Sequence, residues 1–323
     1  LPNWVGDTVL ALPVLDALAA TPRRLWVLAR AHLRSLLEDR EGLEGVVVRA
    51  STHADTIREI GDAGFDEAVI LPNSYRSAWL PRRAGIARRW GYAGRSTEGF
   101  LRRRLLAPAV TDSRPRDRHQ VADYAELLEA MGVPTPAQWL PDLRLSEAQR
   151  RQGEALLVRS RIDPDRSPRI GLFAGAEFGP SKRWPWQRFA ELSRDLRRQQ
   201  PGSRQILLAG PKELWVAVRI HEESGKIHPV VGPDLDLGQL AAVMAQLDLL
   251  VTNDSGPMHM AAALGVPCLA IFGPTDPRRT RPVGDGHRVL YTDRWCSPCF
   301  RRRCPLIRHR CMRDITVERV CEQ

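Results

Sequence analysis

The stretch "VTNDSGPMHMAAALGVPCLAIFGPTDP", residues 251–277, closes one apolar run in a polar turn and opens another soon after. With its upstream neighbours, "LDLLVTN" (247–253) reads as a buried strand that stops at Asn253-Asp254-Ser255-Gly256. "PMHMAAAL" then reads as a helix with Pro257 at its first position, which suits the fixed φ of proline. "PCLAIFG" (267–273) is the next strand. Neither strand alternates apolar with polar residues, so both faces are expected to be covered, as in a parallel sheet flanked by helices. Open sheets of that kind bind ligands just beyond the carboxyl ends of their strands, which makes the "NDSG" turn a candidate site.

The same pattern extends in both directions. "RIGLFAG" (169–175) and "RQILLAG" (204–210) supply two more strands of the second half, with helical patterns near 184–200, 212–224, 236–247 and 257–265. In the first half, "RLWVLAR" (24–30), "GVVVRA" (45–50) and "EAVILP" (67–72) alternate with helical patterns at about 8–20, 31–39 and 54–64. "SEAQRRQGEALLVRSRI" (146–162) reads as a helix capped by Ser146, and the charged, proline-bearing "DPDRSPR" (163–169) as a linker. The expected fold is α/β, with two Rossmann-like, doubly wound parallel-sheet domains at 1–160 and 168–323 facing a cleft. The chain opens in what reads as a loop, so the first domain is expected to lack its first strand.

A chain of 323 residues is comfortable for two domains, and 43% hydrophobic with 27% charged residues fits a globular protein. No apolar stretch reaches the ~20 residues of a membrane-spanning helix. The opening residues have no basic region ahead of an apolar one, so no signal peptide is expected. A net charge of +10 and a pI of 9.9 favour anionic partners: nucleic acid, acidic lipid or phosphorylated substrates. Arginine-rich runs such as "PRRAGIARRWGYAGRSTEGFLRRR" (81–104) carry much of that excess. The chain lacks the helix-turn-helix pattern and the RNP-like strand of a nucleic-acid reader.

Three further stretches carry candidate chemistry. In "NWVGDTVLALPVL", Asp7 stands where a helix N-cap would, or could serve as a carboxylate general base. In "LFAGAEFGPSKRWPWQRFAEL", Gly175 and Gly179 allow close backbone approach while Lys182 adds a cation near a helix start, an arrangement that suits an anion. Glu177 lies in the same loop. No GxxxxGK[ST] is present, so this is not a Walker loop. In "LLAGPKELW", Glu213 could hold ribose hydroxyls or simply complement the helix dipole. Asp254, Ser255 and Gly256 could accept from sugar hydroxyls or donate to phosphate, with His259 one turn further on. Together these residues suit a nucleotide-linked donor with a diphosphate, and the lack of GxGxxG argues against a nicotinamide dehydrogenase.

Six cysteines are present without an export signal, which points to a reducing cytoplasm. "CSPCFRRRCPLIRHRC" could hold a structural zinc or an iron–sulfur centre through Cys296, Cys299, Cys304 and Cys311. Equally, it reads as a basic loop with reduced, unliganded thiols.

"NWVGD", "LPNSYRSAW" (71–79), "GAEFGPSKRWP" (175–185) and the opening stretch, in this order, resemble the lipopolysaccharide heptosyltransferase family, type II in particular. The resemblance implies the GT-B fold and an inverting, metal-independent transfer of heptose from ADP-heptose to the heptose/Kdo inner core. It implies Asp7 as catalytic base and Lys182 at the donor phosphates. Asp254, Ser255, Gly256 and His259 would hold the donor, with Glu213 near the adenosine ribose and Glu177 in the donor loop. Asn73, Ser74 and Arg76 would face the anionic acceptor, as more weakly would Arg102, Arg103 and Arg104. It further implies a cytoplasmic protein at the inner face of the inner membrane, with a lipid A–Kdo–heptose acceptor, an anionic membrane surface as partner and no nucleic acid. The Cys-rich segment departs from the best-known enterobacterial members. Alternatives are a related transferase using another nucleotide sugar or core position (heptosyltransferase I/III-like), a sugar-nucleotide epimerase, and a basic nucleic-acid-binding protein.

Overall fold

The computed structural model describes residues 1–93, 97–111, 117–163, 168–226, 228–306 and 308–323. The chain divides into two compact units, 1–139 and 140–323.

In the first unit every described strand pairing is parallel except one isolated bridge. Strands β1 (Leu25–Ala29) and β2 (Leu43–Val48) pair with each other. Strands β3 (Glu67–Ile70), β4 (Arg88–Ala93) and β5 (Ala109–Thr111) form a second group in that order. Gly45 is there because Trp26 lies across it; an added Cβ would meet the indole at 2.5 Å. Helices Val5–Leu10 and Leu12–Ala19 replace the single helix expected over 8–20. Pro13 opens the second one, where its missing N–H costs nothing. The run expected to be helical over 31–39 is a short 3-10 turn, Ala31–Leu36.

The second unit holds one six-stranded parallel sheet. Its strands are β6 (Arg169–Phe173), β7 (Arg204–Leu208), β8 (Val230–Val231), β9 (Leu249–Asn253), β10 (Cys268–Phe272) and β11 (Arg288–Tyr291). Their spatial order is β11-β10-β9-β6-β7-β8. Counted from β6, that is the doubly wound 3-2-1-4-5-6 order, whose direction of winding reverses between β6 and β9. The runs read as strands in the sequence are these strands: "CLAIF" is buried at all five positions, and β6, β7 and β9 at four of five. One core cluster joins Ile170, Leu172, Leu207, Val251 and Ile271 of the sheet to Trp184, Phe189 and Met312 on its flank.

The domain boundary differs from the expected one. Helix Glu147–Arg159 has the capping box Ser146/Gln149, as its sequence implies. It belongs to the second unit, however, because it packs on helix Leu237–Met244 at Gly153. An added Cβ on Gly153 would meet the Ala242 carbonyl oxygen at 2.1 Å, so the two backbones touch. The break therefore falls at 139/140, and residues 164–167 of the expected linker lie outside the described residues.

Candidate active site

The geometry of the second unit centres on the reversal point of its sheet. Asp254 follows the end of β9 and is 4% exposed; Lys182 closes the 3-10 turn Pro180–Lys182 in the loop after β6. The Lys182 ammonium lies 2.5 Å from Asp254 Oδ2, with only 12% of its side chain exposed. The Thr275 hydroxyl donates to the same oxygen at 2.5 Å, and the Phe178 ring lies 4.9 Å from the ammonium. Two strand-end loops, remote in sequence, thus meet through one buried charge pair.

Asn253, fully buried, fixes the meeting. Its Oδ1 accepts from Trp184 N–H at 2.9 Å, while its Nδ2 donates to the carbonyls of Ala174 at 2.8 Å and Gly175 at 3.2 Å. Only a carboxamide supplies an acceptor and two donors at once there. Sequence reading placed Asn253 in the turn but gave it no role, because nothing local reveals a partner 69 or 79 residues away. Thr275, in the "FGPTDP" loop, escaped for the same reason.

Ser255 stands at the N-cap position of helix Gly256–Ala263 without accepting a helix N–H. Its hydroxyl meets Thr252 Oγ1 at 3.2 Å. That helix start, with its positive end, faces the same strand terminus as Asp254. His259 is on the helix and 6% exposed.

Glu213 sits at the N-cap position of helix Leu214–Glu223, 7% exposed. Its side chain lies over the ends of β6 and β7: a Cβ on Gly175 would meet Glu213 Cγ at 2.4 Å, and one on Gly210 would meet Oε2 at 2.8 Å. Burial, then the charge of Glu177, raises its pKa above the ordinary glutamate value, against the pull of Arg183 and Lys212. Glu177 itself is half-exposed and pairs with Lys212 at 2.6 Å.

The two glycines of this loop do not leave the open cradle that the sequence suggests. The room at Gly175 is filled by Glu213 and the Phe173 ring. At Gly179, with φ +149°, a Cβ would meet the Arg302 carbonyl at 2.7 Å. These glycines admit protein, and the cation and carboxylates around them are left as the polar features of the site.

In the first unit, Asp7 is not an N-cap. The helix starts earlier, with Trp4 at the cap position, so Asp7 falls in its first turn. There Gln120 Nε2 donates to Asp7 Oδ1 at 3.3 Å and to Tyr124 OH at 2.8 Å. Ser74 caps helix Tyr75–Arg83 by accepting from Ser77 N–H at 3.2 Å, and Asn73 and Arg76 are exposed beside it.

Arg102 is a correction. At 1% exposed it faces inward, donating to the carbonyls of Pro72, Ser74 (3.2 Å) and Ile70 (3.4 Å). Its guanidinium shapes the loop that carries Asn73 and Ser74 instead of meeting a ligand. Arg103 and Arg104 are exposed, and Arg104 covers the Phe100 ring at 5.2 Å.

Two arginines missed in the sequence join Arg76. Arg30 and Arg49 directly follow β1 and β2, at the carboxyl edge of their parallel pair. Burial, then the charges of Arg30 and Arg76, lowers the Arg49 pKa below its ordinary value. Arg30 Nε donates to Asn3 Oδ1 at 2.9 Å and Arg49 Nη2 meets His53 Nε2 at 3.0 Å. No carboxylate pairs with any of the three among the described residues. A basic residue immediately after each strand, "LAR" and "VVR", was the available signal.

In the Cys-rich segment the thiols of Cys296, Cys299 and Cys304 act on that of Cys311. Among the described residues no group of three or more Cys, His, Asp and Glu is arranged to hold a metal ion. Cys296, Cys299 and Cys304 are half-buried free thiols and Cys311 is buried. Burial, then the neighbouring Cys304, Cys296 and Cys299, pushes Cys311 up to about 11, which keeps it a thiol at neutral pH.

Residues 54–309 match glycosyltransferase family 9 (heptosyltransferase). Lipopolysaccharide heptosyltransferase 2 of Escherichia coli (strain K12) is 30% identical over 344 aligned residues, covering 100% of this chain and 95% of the relative. Its counterpart in Salmonella typhimurium is 31% identical over 350, with the same coverage. The solved structure of E. coli ADP-heptose lps heptosyltransferase II superposes with a TM-score of 0.81 at 29% identity, covering 99% of this chain and 95% of that one. The expected two-unit Rossmann-like architecture of the GT-B kind is therefore the fold of this protein. With the family model matching residues 54–309 and relatives of 30% identity or more spanning the whole chain, this chain belongs to glycosyltransferase family 9, the heptosyltransferases.

Proposed function

We propose that this enzyme moves L-glycero-D-manno-heptose from ADP-heptose to the heptose/Kdo inner core of lipopolysaccharide, with inversion at the anomeric carbon. The observation that carries the reading is the Lys182–Asp254 pair at the sheet's reversal point, in a family of heptosyltransferases. Asp254 spends one carboxylate oxygen on Lys182 and Thr275, which aims the ammonium. That ammonium has further N–H donors for the diphosphate. As the anomeric C–O bond breaks, negative charge collects on the departing ADP, and a fixed cation stabilises that charge more than the ground state. Lys182 then fills the place a metal ion takes in other transferases. Glu213 would accept from the ribose hydroxyls, and the start of helix Gly256–Ala263, with Ser255, Gly256 and His259, would hold the sugar and phosphate. Glu177 remains a donor-loop candidate through its pair with Lys212.

On the acceptor side Asp7 takes the proton of the attacking hydroxyl, while the new C–O bond forms and ADP leaves from the opposite face. Gln120 orients its carboxylate. Asn73, Ser74 and Arg76, with Arg30 and Arg49, suit the carboxylate and phosphate groups of an acidic core saccharide. We place the reaction in the cytoplasm, at the inner face of the inner membrane where a lipid A–Kdo–heptose acceptor is anchored. No helix among the described residues is long and apolar enough to cross a membrane.

The test is ADP release from ADP-heptose with a Kdo–heptose acceptor, run beside UDP- and GDP-sugars. Asp7→Asn should lower kcat by about 10³-fold or more, the scale of removing a general base, with ADP-heptose affinity unchanged. Full turnover by that variant removes Asp7 from the chemistry, and turnover with only a different nucleotide sugar removes ADP-heptose as donor.

A further inference from the structure

The segment from Trp295 to Leu306 is unused by the chemistry above, yet its two faces are sharply different. Its inward face is strapped to the lysine turn. Ser181 N–H donates to the Arg302 carbonyl at 3.3 Å and the Ser181 hydroxyl to the Arg301 carbonyl at 2.5 Å. His309 Nε2–H donates to the Ser181 carbonyl at 2.5 Å. The segment is also tied to the loop after β10, where Phe300 N–H donates to the Pro274 carbonyl at 2.8 Å.

Its outward face is aromatic and cationic. Trp295 is 89% exposed, Phe300 55% and Leu306 46%. Phe300 is held there with φ +53°, in the left-handed region that a bulky side chain rarely adopts. Arg301, Arg302 and Arg303 are exposed between them. From 294 to 310 the chain carries six arginines and no Asp or Glu. Water gains nothing from a tryptophan displayed this fully. A headgroup layer does, because the ring's apolar body and its N–H suit opposite sides of the interface while guanidinium groups meet lipid phosphates.

We propose that this aromatic–arginine face docks the enzyme on an anionic lipid bilayer, seating Trp295, Phe300 and Leu306 among the headgroups. It rests on the reading of a lipid-anchored acceptor. Leu306 is apolar with no ring to stack on a base, so the exposed face it shares with Trp295 and Phe300 favours a bilayer over nucleic acid. Because Arg301 and Arg302 hold Ser181 through their backbone, the docking face and the turn carrying Lys182 are a single rigid piece. The membrane therefore meets the protein next to where the donor phosphate would be held.

The experiment is co-sedimentation of the full chain with phosphatidylcholine vesicles containing or lacking phosphatidylglycerol, with no sugar nucleotide present. Wild type should bind only the anionic vesicles and release them as salt is raised. Trp295→Ser/Phe300→Ser should lower the partition coefficient about tenfold or more, as should Arg301→Gln/Arg303→Gln. Both variants should keep wild-type thermal stability and wild-type turnover of a lipid-free acceptor. Partitioning equal to wild type in both variants overturns the proposal, as does binding of single-stranded DNA with no vesicle binding. Loss of transfer with vesicle binding intact would refute the transferase reading alone, so the two fail separately.

Discussion

Replacing Lys182 by Met removes one half of a buried pair and leaves Asp254 facing an apolar chain. At 2.5 Å, two unit charges attract by about 6–7 kcal/mol at an effective dielectric of 20. Desolvation of both groups offsets much of that, while stranding one partner of a buried pair costs about 3–5 kcal/mol. Asp254 retains the Thr275 hydroxyl, which softens the loss, so we expect a fall in unfolding free energy of about 2–3 kcal/mol for Lys182→Met. Asp254→Asn should cost a similar amount, and the double variant about 2 kcal/mol less than the sum of the singles. Urea unfolding of the four proteins measures that coupling. Transfer kinetics measure the second consequence: kcat should fall about 10²–10³-fold in Lys182→Met, the scale of losing one preorganised donor to a developing anion. Additive stability effects would show that the pair is not coupled. A Lys182→Met enzyme with wild-type kcat would show that the ammonium does not face the leaving diphosphate, and the proposed chemistry would fail with it.

Three other perturbations have definite signs. His228 is 3% exposed and its pKa is lowered to about 4, by burial first and then by Arg197, so the folded protein keeps it neutral where the unfolded chain protonates it. Stability should thus be intact above the unfolded value near 6.5 and fall by roughly 1.4 kcal/mol per pH unit below it, down to about 4. Urea melts should show this slope flattened in His228→Gln. Glu213 has the opposite linkage: its raised pKa means the folded state binds its proton more tightly than the unfolded chain, so stability is lost as pH rises through the folded value. Glu213→Gln should be more stable than wild type at pH 7.5 and no more stable at acid pH, while calorimetry should show ADP-heptose binding weakened about tenfold. Arg102→Met should lower unfolding free energy by about 3 kcal/mol, through unpaired carbonyls at Ile70, Pro72 and Ser74, while a well-folded fraction keeps its acceptor KM. A raised acceptor KM with unchanged stability would return Arg102 to the binding surface.

The second unit was readable because its chemistry is local. An apolar run, a turn of Asn, Asp, Ser and Gly and a proline-opened helix specify strand, site and helix within a dozen residues. The positions of Lys182, Glu213 and Asp254 at strand ends follow from that alone. Pairing Lys182 with Asp254 needed the sheet order, which brings β6 beside β9 although β7 and β8 intervene in the chain. No periodicity encodes that neighbourhood. The same limit hid Asn253, whose partners are 69 to 79 residues distant, and misjudged Arg102, since an arginine run does not reveal which member turns inward. Short edge strands such as Val230–Val231 and Ala109–Thr111 carried too few residues to show a pattern. The helix 147–159 was found but given to the wrong unit, because only Gly153 hinted at a backbone contact.

The carboxamide of Asn253 has a further consequence. By gripping Trp184 N–H on one side and the Ala174 and Gly175 carbonyls on the other, it welds the end of β6, the lysine turn and the β9 turn into one block before any sugar nucleotide arrives. A donor held there, as proposed, would have little chain left to freeze, so loop ordering would not tax its affinity. Asp at this position would have nearly the same outline but would set a negative charge against two carbonyl oxygens, loosening the block and making every encounter with the donor begin by rebuilding it.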